Sequence, residues 1–191
     1  MGNFDIEIGQ IGKIITGNTP SKSNKDYYSS NDIAFIKPSD FNNDRVTDIE
    51  IGEECLSEEG SKYARVVGKD SVLVTCIGTI GKVGITKKEV CFNQQINAIV
   101  PNMSIVIPKY VAYAIMLKKN RLIELANAPV VPIINKSNFS KLRIPVPPLE
   151  TQQKIVQILD KAQSLIDKRK EQIELLDELI QSTFYEMFGD P

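Results

Sequence analysis

The hydrophobic positions of this chain follow two regimes that meet near residue 148. Ile155, Leu159, Ala162, Ile166, Arg169, Ile173, Leu176, Ile180, Thr183 and Met187 fall at alternating intervals of four and three. That spacing keeps one seam of an α-helix turned toward a partner helix, and only Arg169 and Thr183 break its apolar character. Ile158, Leu165, Leu179 and Phe184 widen the stripe. The pattern predicts a helix from Leu149 to Phe188, roughly 60 Å long at 1.5 Å per residue. A stripe of that length exceeds what a head of ordinary size can cover, so a second long helix is the expected partner. A helix folded back on its own domain is the simpler competitor. The two breaks in the seam would cost stability while fixing register and pairing.

Before the junction the apolar runs are short. Ile11–Thr16 reads as a strand or a short helix, ended by the turn residues Gly17-Asn18-Thr19-Pro20-Ser21. Ile33-Ala34-Phe35-Ile36 is a brief apolar run inside polar flanks. Ser71–Cys76 is a β-branched strand, with Lys82–Ile85 and Gln94–Val100 as weaker ones. Pro108–Leu125 changes period: Val111, Ala114, Ile115 and Leu117 have helical spacing, and Pro108 suits a first turn. Two breaker-rich pieces, Ala126–Ile134 and Leu142–Pro148, lead to the long helix. The expected architecture is a mixed α/β (α+β) head over residues 1–148 with strands dominant, a long coiled-coil helix over 149–188, and a short tail at 189–191.

Composition adds little until charge is divided along the chain. The 191 residues, 42% hydrophobic and 25% charged, suit one domain with an extension rather than a disordered chain. The net charge of −1 conceals a strong asymmetry. Residues 1–59 carry 5 basic and 12 acidic side chains, residues 60–149 carry 13 and 3, and residues 150–191 carry 5 and 9. The middle block, at +10, would attract phosphate and give salt-dependent binding if its charges share a face. Lysines at ordinary solvated positions are the alternative account. Cys55, Cys76 and Cys91 are widely spaced and odd in number, which reads as free thiols in a reducing cytoplasm. The start, Met-Gly-Asn-Phe-Asp-Ile-Glu-Ile, lacks the pattern of a signal peptide, and no apolar run approaches the length of a membrane span.

Several catalytic chemistries find no matching residues. The chain has no histidine, so it offers no imidazole base or imidazole metal ligand. The cysteines lack zinc spacing. Asp40, Asp44 and Asp48 lie four apart without the surrounding pattern of a calcium loop, and read as a solvated acidic edge. No methyl-donor loop and no amino-methyltransferase tetrapeptide is visible. The run Cys76-Ile77-Gly78-Thr79-Ile80-Gly81-Lys82-Val83-Gly84 resembles a phosphate cradle, but neither the Walker nor the dinucleotide pattern fits it. A tight strand–turn–strand, with glycines relieving crowding or allowing positive φ, is the favoured reading. Such a turn, bearing Lys82 and followed by Lys87 and Lys88, could also bring amides and ammonium groups to DNA phosphates.

Five segments, taken in order, resemble one half of a DNA-specificity subunit of a type I restriction-modification system. They are Ile15–Ser21, Ile33–Asp40, Val72–Gly84, Phe92–Ile99 and the junction Ile144–Ile155, of which the junction, Ile-Pro-Val-Pro-Pro-Leu-Glu-Thr-Gln-Gln-Lys-Ile, is the most specific. Phe184–Pro191 looks like the end of a repeat unit. The resemblance implies a target-recognition domain that reads one part of a split DNA sequence, with paired long helices spacing two such domains. The usual subunit has two recognition domains and two helical regions, and this chain has one of each. It is expected to pair with a copy of itself or with a second specificity half. The resemblance further implies methyltransferase (modification) subunits beside the helices and, in a complete system, a restriction-translocation subunit. This chain would be non-catalytic and bind no cofactor, with S-adenosylmethionine held by the methyltransferase.

The candidate DNA-contacting residues follow from charge, turn and motif. Lys82, Lys87 and Lys88 would position the backbone, joined by Lys22 and Lys37 beside the first two matched segments and by Lys62 and Arg65 in the positive block. Thr79, Gln94, Gln95 and Asn97 are candidates for base edges, since carboxamides pair bidentately with adenine. Gln94 and Asn97 could instead satisfy strand ends. A competing reading of the whole chain is a coiled-coil interaction module whose head binds protein and has no specific DNA site.

Overall fold

The computed structural model of the chain describes residues 5–126 and 131–189. Residues 127–130 of the breaker-rich piece, the first four residues of the N-terminal reading and the last two of the expected tail lie outside that description. Contacts divide the chain into two compact units, residues 1–153 and 154–191.

The first unit is built on three sheets. The largest has five strands in the order β2 (Gly12–Thr16), β10 (Ile96–Pro101), β7 (Val72–Thr75), β8 (Val83–Thr86) and β4 (Thr47–Ile49). It is antiparallel except where β4 joins β8. A second sheet orders β5 (Glu54–Leu56), β3 (Ile33–Ile36), β9 (Val90–Phe92) and β6 (Val66–Val67). A small pair joins β1 (Asp5–Glu7) to β11 (Arg143–Pro145). Ala34, Ile36 and Phe92 from the second sheet meet Ile49, Leu73, Ile96 and Ala98 from the first in one core. The helix α3 (Pro108–Leu117) lies on β7 and β8. With cover on both sides, all four residues of β7 and of β8 are buried. That is why those segments read as unbroken apolar runs rather than alternating ones.

Of the two elements expected for Ile11–Thr16 the strand is the one formed, β2 from Gly12 onward, while Ile11 closes the short helix α1 (Ile8–Ile11) that precedes it. The helical stretch after Pro108 breaks at Lys118 (φ −94°, ψ 14°) into α3 and α4 (Lys119–Glu124). The breaker-rich Leu142–Pro148 holds a real strand, β11, because Ile144 is wholly buried and pairs with Ile6. Two further short helices complete the unit, α2 (Glu58–Ser61) and α5 (Lys136–Ser140).

The long helix α6 runs from Leu149 to Phe188, 40 residues. Its opening turn belongs to the first unit through Gln152, which is fully buried. The Gln152 carboxamide accepts from Ile107 N–H (2.9 Å) and donates to Ile105 O (3.0 Å) and Pro147 O (2.8 Å). Three backbone groups of irregular chain are thereby satisfied by one side chain, which fixes the helix start. The second unit, from residue 154, is helix alone. Ile155 and Leu159 of its seam are half-buried, whereas Ala162 and the seam residues beyond it are exposed. Ile166, Ile173, Leu176, Ile180 and Met187 are between 49% and 69% exposed. Arg169, the charged seam residue, donates to Gln172 Oε1 at 2.8 Å. No helix among the described residues is long and apolar enough to cross a membrane.

Candidate nucleic-acid interface

One end of the five-stranded sheet gathers polar side chains from three loops. Register places Thr16 opposite Asn97 and Ile96 opposite Thr75, so the exit of β2, the entry of β10 and the β7–β8 turn share that end. Within the β7–β8 turn, Gly78 (φ 73°) and Gly81 (φ 82°) occupy the left-handed region that a side chain disfavours. Thr79 is held exposed between them. Thr19 donates its hydroxyl to Gln94 Oε1 (2.6 Å), and Asn93 donates its amide to Gln95 Oε1 (3.0 Å). Both glutamines are thus oriented through their oxygens, leaving amide hydrogens for a ligand. Gln94 is exposed and Gln95 half-buried.

Asn97 differs from its neighbours. It is only 2% exposed, and its Oδ1 accepts from the Thr16 hydroxyl at 2.6 Å, a contact within the sheet. In this conformation it satisfies strand β10, the structural alternative raised from the sequence.

The candidate lysines fall into four separate settings. Lys82 reaches inward, where its ammonium donates to Pro38 O and Phe41 O, each at 3.2 Å. The amides around it are also committed internally: Gly81 N–H to Thr75 O, Lys82 N–H to Thr75 Oγ1, and Gly78 N–H to Pro132 O, all at 3.0 Å. The glycine run is therefore a strand–turn–strand in which those three amides have no vacancy for an oxyanion. Lys87 and Lys88 lie past the opposite end of β8, with Lys87 paired to Asp48 at 2.9 Å. Lys22 and Lys37 converge on Glu54. Lys62 and Arg65 stand elsewhere again, beside β2.

Those last two open the most cationic surface near the polar cluster. A groove of about 650 Å³ follows the edge strand β2 and is lined by Lys13, Thr16, Lys62, Arg65 and Lys136. No carboxylate lines it. Lys62 is partly occupied by Glu59 (2.8 Å), whose hydrogen bond and charge hold the ammonium pKa above its ordinary value. Thr16 borders both the groove and the polar cluster, and beside it Asn18 Nδ2 donates to Tyr63 O at 2.6 Å. Tyr63, 54% exposed, stacks on Tyr27 with centroids 4.7 Å apart. A hydrogen bond with Tyr27, with Tyr27 and Glu59 as neighbouring charges, raises the Tyr63 phenol pKa.

Sequence reasoning missed Lys13, Lys136, Asn18, Thr19 and the tyrosine pair. Lys136 lay inside the positive block, but nothing in linear order brings residues 13, 65 and 136 together. Two of the three spaced aspartates have structural roles: Asp40 accepts from Lys37 N–H (2.7 Å) and Glu53 N–H (2.9 Å), and Asp48 pairs with Lys87. All three cysteines are free; burial pushes the Cys76 and Cys91 thiols up to about 12.

The head is thus a mixed α/β domain with a cation-lined groove beside a cluster of oriented carboxamides, and a 40-residue helix follows it in the chain. The chain belongs to the family described as the type I restriction modification DNA specificity domain, which matches residues 3–175. It is 31% identical over 98% of its length to the type I restriction enzyme MjaIX specificity subunit of Methanocaldococcus jannaschii, covering 44% of that protein. It is 33% identical to the HindI specificity subunit of Haemophilus influenzae, over 91% of this chain and 39% of the relative. The chain thus spans less than half the length of these curated relatives. Its fold is shared with the HsdS subunit of Thermoanaerobacter tengcongensis, with a TM-score of 0.69 at 19% identity, over 97% of this chain and 44% of that one. A chain of the type I R-M system gives a TM-score of 0.72 at 22% identity, over 93% of this chain and 42% of that one.

Proposed function

We propose that this chain reads one part of a split DNA sequence and positions methyltransferase subunits on it, contributing no catalytic group itself. The observation that carries the reading is the groove lined by Lys13, Lys62, Arg65 and Lys136, in which, among the described residues, only Lys62 is paired with a carboxylate (Glu59), beside the cluster of Thr19, Gln94, Gln95 and Thr79. Cations of that kind hold phosphates without regard to sequence, and oriented carboxamides discriminate base edges. Membership of the specificity-domain family supports the DNA-recognition part of this reading from an independent direction.

The long helix supplies the second half of the proposal: it pairs with a copy of itself or with a second specificity half. Its charges favour the antiparallel sense. Residues 149–170 hold Lys154, Lys161, Lys168, Arg169 and Lys170 against Glu150, Asp160 and Asp167, and precede a stretch in which Glu171, Glu174, Asp177, Glu178 and Glu186 stand without a single basic residue. Antiparallel pairing sets the acidic stretch of one helix against the basic stretch of the other, whereas parallel pairing sets like against like. Methyl transfer would come from partner subunits carrying S-adenosylmethionine, with a restriction-translocation subunit in a complete system.

Co-purification with candidate methyltransferase subunits, followed by mapping of methylated bases on random-sequence DNA, tests this reading. The expected result is adenine methylation in a split site, symmetric if two identical chains pair. Methyl transfer by the rigorously partner-free chain would overturn the division of labour.

A further inference from the structure

The short helix α5 stands between two cationic troughs. On one side Lys136, Ser137 and Ser140 line a groove of about 710 Å³ shared with Lys13 and with one carboxylate residue, Glu7, which pairs with Arg143 at 3.9 Å; the groove continues into the one holding Lys62 and Arg65. On the other side Asn138 and Lys141 line a cleft of about 350 Å³ together with Lys118, Arg121 and Arg143. The second cleft contains one carboxylate residue, Asp5. Arg121 is engaged by Glu124 at 2.8 Å, and Arg143 donates to Asp5 O at 2.6 Å. Lys118 and Lys141, like Lys13, Arg65 and Lys136, have no ion pair among the described residues.

The ridge between the troughs is anchored rather than loose. Phe139 on its inner side is wholly buried. Asn135 caps its start, its side chain accepting from Asn138 N–H at 2.8 Å. The chain on either side is tied down, by Ile134 N–H to Cys76 O and by Ile8 N–H to Leu142 O, both 2.9 Å. A fixed polar ridge with unpaired cations on both flanks matches a groove of duplex DNA, whose two phosphate strands run on either side of whatever enters it. The major groove, about 12 Å wide, is the one that admits a helix.

We infer that α5 straddles duplex DNA, with one phosphate strand in the trough of Lys13, Arg65 and Lys136 and the other in the trough of Lys118 and Lys141. This rests on the DNA-reading proposal and extends it to a surface outside the carboxamide cluster. The role is backbone positioning, so it sets affinity and orientation rather than base preference.

The test uses the full chain with random-sequence duplexes of about 30 base pairs, two alanine variants and binding measured across a salt series. One variant combines Lys13→Ala, Arg65→Ala and Lys136→Ala; the other combines Lys118→Ala and Lys141→Ala. Circular dichroism confirms that each is folded. Each variant should lose about 0.9 from the slope of log K against log salt for every phosphate contact removed. Hydroxyl-radical footprints should lose protection on one strand for the first variant and on the opposite strand for the second. If only the first variant changes the slope, α5 does not straddle the duplex and the Lys118–Lys141 cleft takes an acidic chain instead. If both leave slope and footprint unchanged while binding persists, the inference fails and the DNA-reading proposal stands. Absence of DNA binding by the unaltered chain, alone and with its methyltransferase partner, would remove that proposal as well.

Discussion

In the head, Phe35, Phe92 and Phe139 are wholly buried, while along the long helix Ile173, Leu176 and Ile180 stand about 60% exposed. Both regions are rich in apolar side chains, but the head covers its own and the helix holds them out along a seam. A domain core stabilises the chain that contains it. An exposed seam contributes stability only when something covers it, so its energy is available to association. The head and the helix thus dispose of their apolar side chains in opposite ways.

The sharpest way to break that contrast is within the head core. Phe92→Ala removes a ring shared by the two main sheets and should destabilise the head by about 3–5 kcal/mol, read by urea denaturation. Leu175→Ala, at a 58% exposed helical position outside the four–three seam, should change the same curve by less than about 0.5 kcal/mol. A comparable loss from Leu175→Ala would mean that the helix is part of the same cooperative unit.

Assembly gives the reciprocal result. Ile166→Asp combined with Ile173→Asp should convert a dimer to a monomer in sedimentation while leaving the thermal unfolding of the head in place. A doubly substituted protein that stays dimeric would move the interface off the seam.

Between the two regimes lies Gln152, whose carboxamide ties the start of the helix to the head backbone. Gln152→Ala leaves the Ile107 N–H and Ile105 carbonyl without that partner and should cost about 1–3 kcal/mol of head stability. Gln152→Glu should also destabilise, since a carboxylate cannot donate to Ile105 O or Pro147 O.

The difference between the regions also explains what the sequence disclosed. The helix was legible end to end, Leu149 to Phe188, because a four–three repeat is a local rule with no competing tertiary demand. The buried strands β7 and β8 were legible as apolar runs, and the glycines between them as a turn. The two- and three-residue strands β4, β5, β6 and β9 were not, because so few residues carry no period. The interface was legible only in part. Gln94, Gln95 and Thr79 do cluster, but Lys13, Arg65 and Lys136 come together through the pairing of β2 at a sheet edge. Lys82 looked free in sequence and is held by two carbonyls that lie more than 40 residues away.

The smallest effect concerns the thiols. Cys76 and Cys91 have pKa values raised by burial to about 12, against an ordinary 9.0, so folding favours their protonated form. That contribution is fully present below about pH 9 and is lost as pH rises toward 12. At pH 8 the folded chain should react with a thiol reagent at the half-buried Cys55 first, with Cys76 and Cys91 labelled only on unfolding. Rapid labelling of all three would show that the sheets open far more readily than their burial implies.

The central claim is that the head distinguishes DNA sequences through the cluster at the end of the five-stranded sheet. Its most direct test is repeated selection of duplexes from a random pool by the full chain with its methyltransferase partner, followed by sequencing. The account predicts enrichment of a defined split motif, and a changed or relaxed base preference within that motif for Gln94→Ala combined with Gln95→Ala. A pool that stays random under selection by the unaltered complex would contradict it.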